Sequence, residues 1–147
     1  MSVETISRLS VSMSSFLPMS KRWKLLYYRD ALGYSPYLDW VTNKLNAPEK
    51  ECISRVLNSY LLRFGDTKPK ANWLSNLTEG LYQLRIQEID SDGKRTILMR
   101  IYVHFYGNNE ILVISGYDKL KYPEKPRQQE EIRRARKILR EWRENDR

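Results

Sequence analysis

The chain has 147 residues, 41% of them hydrophobic and 30% charged, with a net charge of +8 and one cysteine, Cys52. This composition is typical of a single globular domain, and no apolar stretch approaches the roughly 20 residues that cross a bilayer. One cysteine excludes an internal disulfide, so we expect a reduced thiol in a cytoplasmic protein. With one cysteine and one histidine, no metal site is expected. We also expect no membrane partner and no small-molecule cofactor. The positive charge favours an anionic partner such as nucleic acid or an acidic protein.

Residues 1–20 are rich in serine and show no sustained hydrophobic period, which predicts a flexible extension. They lack the basic flank and long apolar core of a secretory signal. Met19 is an alternative start of translation, because the patterned sequence begins directly after it. We therefore expect one domain over residues 21–147.

An aromatic strand over residues 22–29 opens this domain, and two helices follow it. Ser35 and Pro36 provide an N-cap and a first-turn proline for the first helix. The second helix is predicted to begin at Pro48 and to end at Gly65. Because a connection of only about two residues joins them, the two helices are expected to form a helical hairpin.

Residues 81–106, after a predicted loop over residues 67–80, contain two alternating runs joined by Asp92 and Gly93. If these two residues form the centre of a two-residue turn, paired residues have numbers that add to 185. One face of the hairpin is then apolar and belongs to the core. The opposite face pairs Arg85 with Arg100, Gln83 with Tyr102 and Leu81 with His104.

A further strand over residues 110–117 is apolar on both faces, and a helix over residues 127–144 has one apolar stripe. The resulting order, β-α-α-β-β-β-α, predicts an α+β fold with a small, largely antiparallel sheet, an N-terminal helical hairpin and a C-terminal helix. We expect the helices to cover one face of the sheet. The face that carries the arginines is then open to solvent.

Arg85 and Arg100, directly opposite each other, are expected to repel and to destabilise the sheet mildly. Three interpretations are open. An acidic side chain of the same protein can neutralise the two arginines, the two side chains can separate in water, or the pair can bind a bidentate anion such as phosphate. The neighbours on that face are uncharged, which favours the third interpretation over the first. These neighbours are Gln83, Gln87, Leu98 and Tyr102.

The segment GYDKLKYPEKP, residues 116–126, leaves the strand beside this face. Loop lysines are usually only solvated, but beside a phosphate-binding face they suit RNA, since cations bind phosphates and aromatic rings stack on bases. His104 has an ordinary pKa that suits proton transfer, although a lone strand histidine is more often structural. The RNA-binding candidates are Gln83, Tyr102, Tyr117, Lys119, Lys121, Tyr122 and Lys125.

Four motifs occur in a recognisable order. LYQLR at 81–85 is followed by RIYVHF at 100–105, then by GYDKLKYPEKP, then by EEIRRA at 130–135. This order, with LLYYRDALGYSPYLDWV near the amino terminus, resembles the RelE/ParE superfamily of toxins, and within it the HigB-like, phage-derived group. The resemblance spans about residues 22–143.

The resemblance implies a RelE-like microbial RNase fold and the toxin of a type II toxin–antitoxin pair, which cuts messenger RNA on the ribosome. Its partner is a helix-turn-helix antitoxin. Arg85 and Arg100 would hold the scissile phosphate, with Tyr117 and Lys119 beside them, and we add His104 to this catalytic set from its position. The RNA 2′-hydroxyl attacks the phosphate without a metal, giving a cyclic phosphate and a free 5′-hydroxyl.

The chain departs from the group at several positions. Gln83 stands where glutamate is usual, Leu120 stands where a second lysine is usual, and no lysine directly precedes residue 81. The general base is therefore unassigned, and two other functions stay open: ParE-like inhibition of DNA gyrase and a non-catalytic RNA- or partner-binding module. Cleaved transcripts indicate the nuclease, DNA damage indicates the gyrase inhibitor, and the binding module causes neither.

Overall fold

The structure is a computed structural model that describes residues 23–65 and 73–145. The predicted serine-rich extension, Met19 and the first part of the predicted loop at 67–72 lie outside these ranges. Within them, no helix has the length and the apolar character needed to cross a membrane.

The described chain is α+β, as predicted, with five strands and three helices. The strands are β1 (Lys24–Tyr27), β2 (Leu74–Asn76), β3 (Tyr82–Ile89), β4 (Arg95–Tyr106) and β5 (Glu110–Asp118). The helices are α1 (Pro36–Lys44), α2 (Ala47–Val56) and α3 (Lys125–Asn145). Helix α2 continues through a π-helical turn, Leu57–Leu61, into a last α-helical turn, Leu62–Phe64.

All five strands form one sheet in the order β1-β5-β4-β3-β2. The chain enters at one edge, and β2 begins at the other edge after α1 and α2. Strands β2 to β5 then return as an antiparallel meander, which brings β5 beside β1 in a parallel pair. The sheet is therefore largely antiparallel, and β4 lies at its centre.

The helix signals read from the sequence are present. Ser35 Oγ accepts a hydrogen bond from the Leu38 backbone N–H at 3.2 Å, as expected of an N-cap. Helix α2 starts one residue earlier than predicted, because the side chains of Asn46 and Glu49 each accept a hydrogen bond from the other's backbone N–H, which forms a capping box. Gly65, with φ of 54°, ends the helical segment.

The β3–β4 register is confirmed, but the predicted turn is wrong. The Asp90 N–H donates to the Lys94 carbonyl at 2.8 Å, so the turn contains three residues, 91–93, with the last at φ of 81°. A bulge at Thr96 then supplies the extra residue that restores the predicted partners. Arg85 therefore lies opposite Arg100, as the sequence indicated.

Residues 74–76 form a strand, although the sequence predicted a loop over 67–80. Leu74 pairs with Leu84 and Asn76 with Tyr82, which extends the sheet by one short edge strand. Leu74 is buried, so this segment is part of the core. The segment is too short to show a period-2 pattern, which is why sequence patterning did not reveal it.

Both faces of the sheet are covered, which contradicts the prediction of an open face. Helices α1 and α2 pack on one face, over a core that includes Ile86, Met99 and Ile101. Helix α3 packs on the arginine-bearing face, over a second apolar cluster. The buried members of that cluster are Leu81, Tyr102, Leu112, Ile114, Tyr117, Ala135 and Leu139. The apolar stripe of α3 needs an apolar partner surface, and this face provides one.

Candidate functional site

Arg85, Arg100 and Tyr117 form a row across strands β3, β4 and β5. Each is the cross-strand partner of the next, so neighbouring Cβ atoms lie about 4.5–5.5 Å apart. Arg100 is only 7% exposed, and Arg85 is half-buried. Burial lowers the pKa of Arg100, and the adjacent charge of Arg85 lowers it further. Among the described residues, neither guanidinium forms an ion pair with a carboxylate.

Five polar atoms on this face are buried and have no hydrogen-bond partner within the described protein. They are Arg85 Nε, Arg100 Nε, Tyr102 Oη, Ser115 Oγ and Tyr117 Oη. Each buried, unpaired donor costs on the order of 1–3 kcal/mol, and native folds contain few of them. A group of five on adjacent positions of β3, β4 and β5 is therefore the feature of this fold that most strongly indicates a ligand site.

The lysine-rich segment bends back over β4 and brings Lys119 to the arginines. The backbone N–H groups of Lys119 and Leu120 both donate to the Leu98 carbonyl, at 2.9 and 3.0 Å. Burial lowers the pKa of Lys119, and the charges of Arg100 and Arg85 contribute to the same shift. Arg85, Arg100, Tyr117 and Lys119 therefore share one site, which we call the arginine cluster.

Gln83 belongs to the wall of the arginine cluster. Its side-chain oxygen accepts a hydrogen bond from Gln128 Nε2 of α3 at 2.9 Å. Gln128 Oε1 in turn accepts from Lys119 Nζ at 2.9 Å. This chain of polar contacts ties the first turn of α3 to β3 and holds the ammonium group of Lys119 in place.

The other three lysine-segment candidates lie at the rim. Lys121, Tyr122 and Lys125 are exposed, and Tyr122 keeps 39% of its surface accessible. The guanidinium of Arg127 lies over the Tyr122 ring, 4.2 Å from its centroid. These side chains face solvent and are therefore accessible to a ligand that reaches the cluster from outside.

Tyr102 does not offer a ring on which a base can stack, contrary to expectation. Its side chain is fully buried beneath α3, and burial raises the pKa of its hydroxyl. The prediction assumed an uncovered sheet face, and α3 covers it. Tyr102 therefore contributes its hydroxyl, but not its ring, to the five buried polar atoms that have no partner within the described protein.

His104 lies on the predicted face but away from the arginine cluster. It is four residues along β4 from Arg100, which corresponds to about 13 Å. Its Nδ1 pairs with the Gly80 carbonyl at 2.7 Å, and its ring packs against Tyr106 and Trp142. The structure therefore gives His104 a packing role at the far end of α3, and it does not support the predicted part in proton transfer.

The pH dependence of stability is expected to report this packing. Burial lowers the pKa of His104, with a smaller contribution from Arg143, so the folded chain takes up the proton less readily than the unfolded chain. The associated stability is present above pH ~6.5 and is lost as the pH falls toward the lower folded-state pKa. Urea unfolding between pH ~7 and ~5.5 measures this loss. The free energy of unfolding of His104→Gln is expected to change less with pH than that of the wild-type protein. Equal slopes for the two proteins would contradict the assignment.

Three residues of α3 join the site and were not predicted: Arg127, Gln128 and Glu131. Glu131 is only 6% exposed and pairs with Arg127 at 2.8 Å. It influences the electrostatics of Tyr102 and Tyr117, since its charge raises the pKa of both hydroxyls. The i, i+4 spacing of Arg127 and Glu131 is visible in the sequence, but nothing there shows which face of the sheet α3 covers.

Comparison of the chain with models of known protein families and with curated proteins finds no match. The chemistry of the site therefore rests on its own groups. The arginine cluster presents two guanidinium groups, one ammonium group and a phenol, all of them hydrogen-bond donors at neutral pH. Such a set suits a multiply charged oxyanion, and bidentate contact from arginine suits phosphate in particular.

Proposed function

We propose that the chain is the toxin of a type II toxin–antitoxin pair, a metal-independent endoribonuclease of RelE-like fold that cuts messenger RNA on the ribosome. The observation that carries this proposal is the pair of facing guanidinium groups, Arg100 buried and Arg85 half-buried, which form no ion pair with a carboxylate among the described residues and lie beside unpartnered donors. The order of the sequence motifs supports the same conclusion. The cognate partner is a helix-turn-helix antitoxin, and an acidic segment of it would complement the cationic cluster.

In this reaction the RNA 2′-oxygen attacks the adjacent phosphorus, and the bond from phosphorus to the 5′-oxygen breaks. The products are a 2′,3′-cyclic phosphate and a free 5′-hydroxyl. Arg85 and Arg100 donate to the two non-bridging oxygens, where negative charge increases in the transition state. The register of β3 and β4 places the two arginines opposite each other before substrate binds.

Two protons move in the reaction, and the cluster fits one of these steps well. The leaving 5′-oxygen needs a proton, and Lys119, whose pKa burial lowers, is a better acid than an ordinary lysine. Tyr117 is a poor base, because burial raises its pKa to about 12, but its hydroxyl can donate to the phosphate. The acceptor of the 2′-hydroxyl proton has no assignment among the described residues.

Because the described residues suffice for binding without an assigned base, a second candidate function is a module that binds RNA or another phosphate-bearing partner without cutting it. The donors of the cluster suffice for binding, and binding needs no proton acceptor. This candidate shares the ligand with the first one and differs from it only in chemistry.

Inducing the protein in growing cells and mapping new transcript 5′ ends by primer extension tests the proposal. Cuts within translated regions are expected, and the Arg85→Ala/Arg100→Ala double variant is expected to produce none. Growth arrest without cuts would contradict the nuclease and indicate gyrase or another protein target. Tight RNA binding without cuts or arrest would indicate the non-catalytic module.

A further inference from the structure

Arg127, in the first turn of α3, is a third guanidinium beside the arginine cluster. Its guanidinium carbon lies 5.5 Å from the centroid of the Tyr117 ring, and Tyr117 is the cross-strand partner of Arg100. The Arg127 side chain is 35% exposed, so it lies between the buried cluster and the solvent. Its charge acts on the Tyr117 hydroxyl, as does that of Arg100.

The orientation of Arg127 is set by Glu131, one helical turn later. Arg127 Nε donates to Glu131 Oε2 at 2.8 Å, and the Glu131 side chain is only 8% exposed. A buried carboxylate is costly unless it is paired, and Arg127 is the nearer of two arginines beside it, since Arg134 Nη1 lies 4.0 Å from the same oxygen. Because the contact uses Nε, the two terminal amino groups of Arg127 stay available as the fork that binds an oxyanion.

We propose that Arg127 is a third anion-binding arginine of this site, and that Glu131 is a positioning residue that holds its guanidinium over Tyr117 and toward the bound phosphate. The inference rests on the proposed function for the identity of the anion, a phosphate of an RNA chain. Arg127 lies on the solvent side of the cluster, where it would bind the scissile phosphate or the next one along the strand. Arg127 also lies over the ring of the rim residue Tyr122, which is accessible to a ligand that reaches the cluster from solvent.

Simple electrostatics and this proposal predict opposite effects for Glu131→Gln. If Glu131 acts only through its charge, its removal leaves the site more positive, and anions bind more tightly. If Glu131 orients Arg127, the neutral amide holds the guanidinium less firmly, and anions bind more weakly. The sign of the change therefore separates the two roles.

Titration of the full chain with inorganic phosphate at low ionic strength, followed by ³¹P NMR, tests the inference without reference to RNA cleavage. Arg127→Ala is expected to weaken phosphate binding about tenfold or more, as loss of a charge-assisted contact does. Arg133→Ala is the matched control, because Arg133 lies on the same helix, is exposed and pairs with the surface residue Glu130 rather than with Glu131. It removes the same charge and is expected to change binding less than about twofold.

The double variant completes the test. In the Arg127→Ala background, Glu131→Gln is expected to cause no further weakening, since the residue through which it acts is gone. Tighter binding by Glu131→Gln alone, or wild-type affinity in Arg127→Ala, would overturn the inference, as would a wild-type protein that binds no phosphate. Thermal unfolding of each variant verifies that the fold is retained.

A short, uncleavable single-stranded oligonucleotide links the inference to the proposed function. The slope of log K against log salt is expected to decrease in magnitude by about 0.7 in Arg127→Ala, as one phosphate contact predicts, and to stay unchanged in Arg133→Ala. An unchanged slope in Arg127→Ala would contradict the RNA contact. Intact transcripts together with a confirmed phosphate result would refute the nuclease and leave the third arginine in place.

Discussion

The variant Arg100→Met is expected to lower RNA cleavage about 10²-fold or more and, at the same time, to raise the free energy of unfolding. A fixed donor at the position of transition-state charge typically contributes a rate factor of this size. Arg100, however, is buried beside Arg85 and forms no ion pair with a carboxylate among residues 23–65 and 73–145. An unbranched apolar side chain of similar length removes that repulsion and the desolvation cost, so a gain of about 1 kcal/mol or more is expected.

Urea unfolding and a cleavage assay on the same preparations measure the two effects. Arg95→Met is the matched control, because Arg95 lies on the same strand and is exposed. It is expected to change neither quantity by much. A loss of stability in Arg100→Met would mean that the guanidinium is satisfied within the fold, and the arginine cluster would then be a structural feature.

The β3–β4 register was predictable because one face of the hairpin must be apolar, and a shift of one residue would expose that face. The local turn was not predictable in the same way. Asp92 and Gly93 fit a two-residue turn and also the longer turn that the protein adopts. The bulge at Thr96 compensates for that longer turn, so a wrong local prediction still gave the right partners for Arg85 and Arg100.

The arginine pair follows from the register, and Lys119 follows from its place after β5. The sequence did not show that α3 covers this face. An apolar stripe on a helix indicates that the helix packs against another element, but it does not indicate which face of the sheet that element presents. The polar pairs on the face concealed an apolar cluster that includes Leu112 and Ile114 of β5. His104 illustrates a related limit, because residues that share a sheet face can still lie about 13 Å apart along a strand.

Gly116→Ala is expected to destabilise the fold by about 2–3 kcal/mol and to weaken phosphate binding. A Cβ at this position would lie 2.4 Å from Cζ3 and 2.8 Å from Cε3 of Trp40, on α1, and 3.1 Å from the Arg100 carbonyl oxygen. The indole ring would have to move away, or β5 would have to shift. A shift of β5 displaces Tyr117, the next residue, and with it the row that includes Arg100.

Trp40→Leu, alone and combined with Gly116→Ala, identifies the clash as the cause. If the indole is what the new methyl group meets, the double variant is expected to be more stable than the sum of the single effects predicts, by about 1 kcal/mol or more. Its affinity for phosphate is expected to recover in parallel, because β5 can return to its place against β4. Additive losses in the two single variants would contradict this account. A Gly116→Ala protein of wild-type stability would show that α1 does not pack closely against this part of β5, and Tyr117 would then be positioned by β4 and α3 alone.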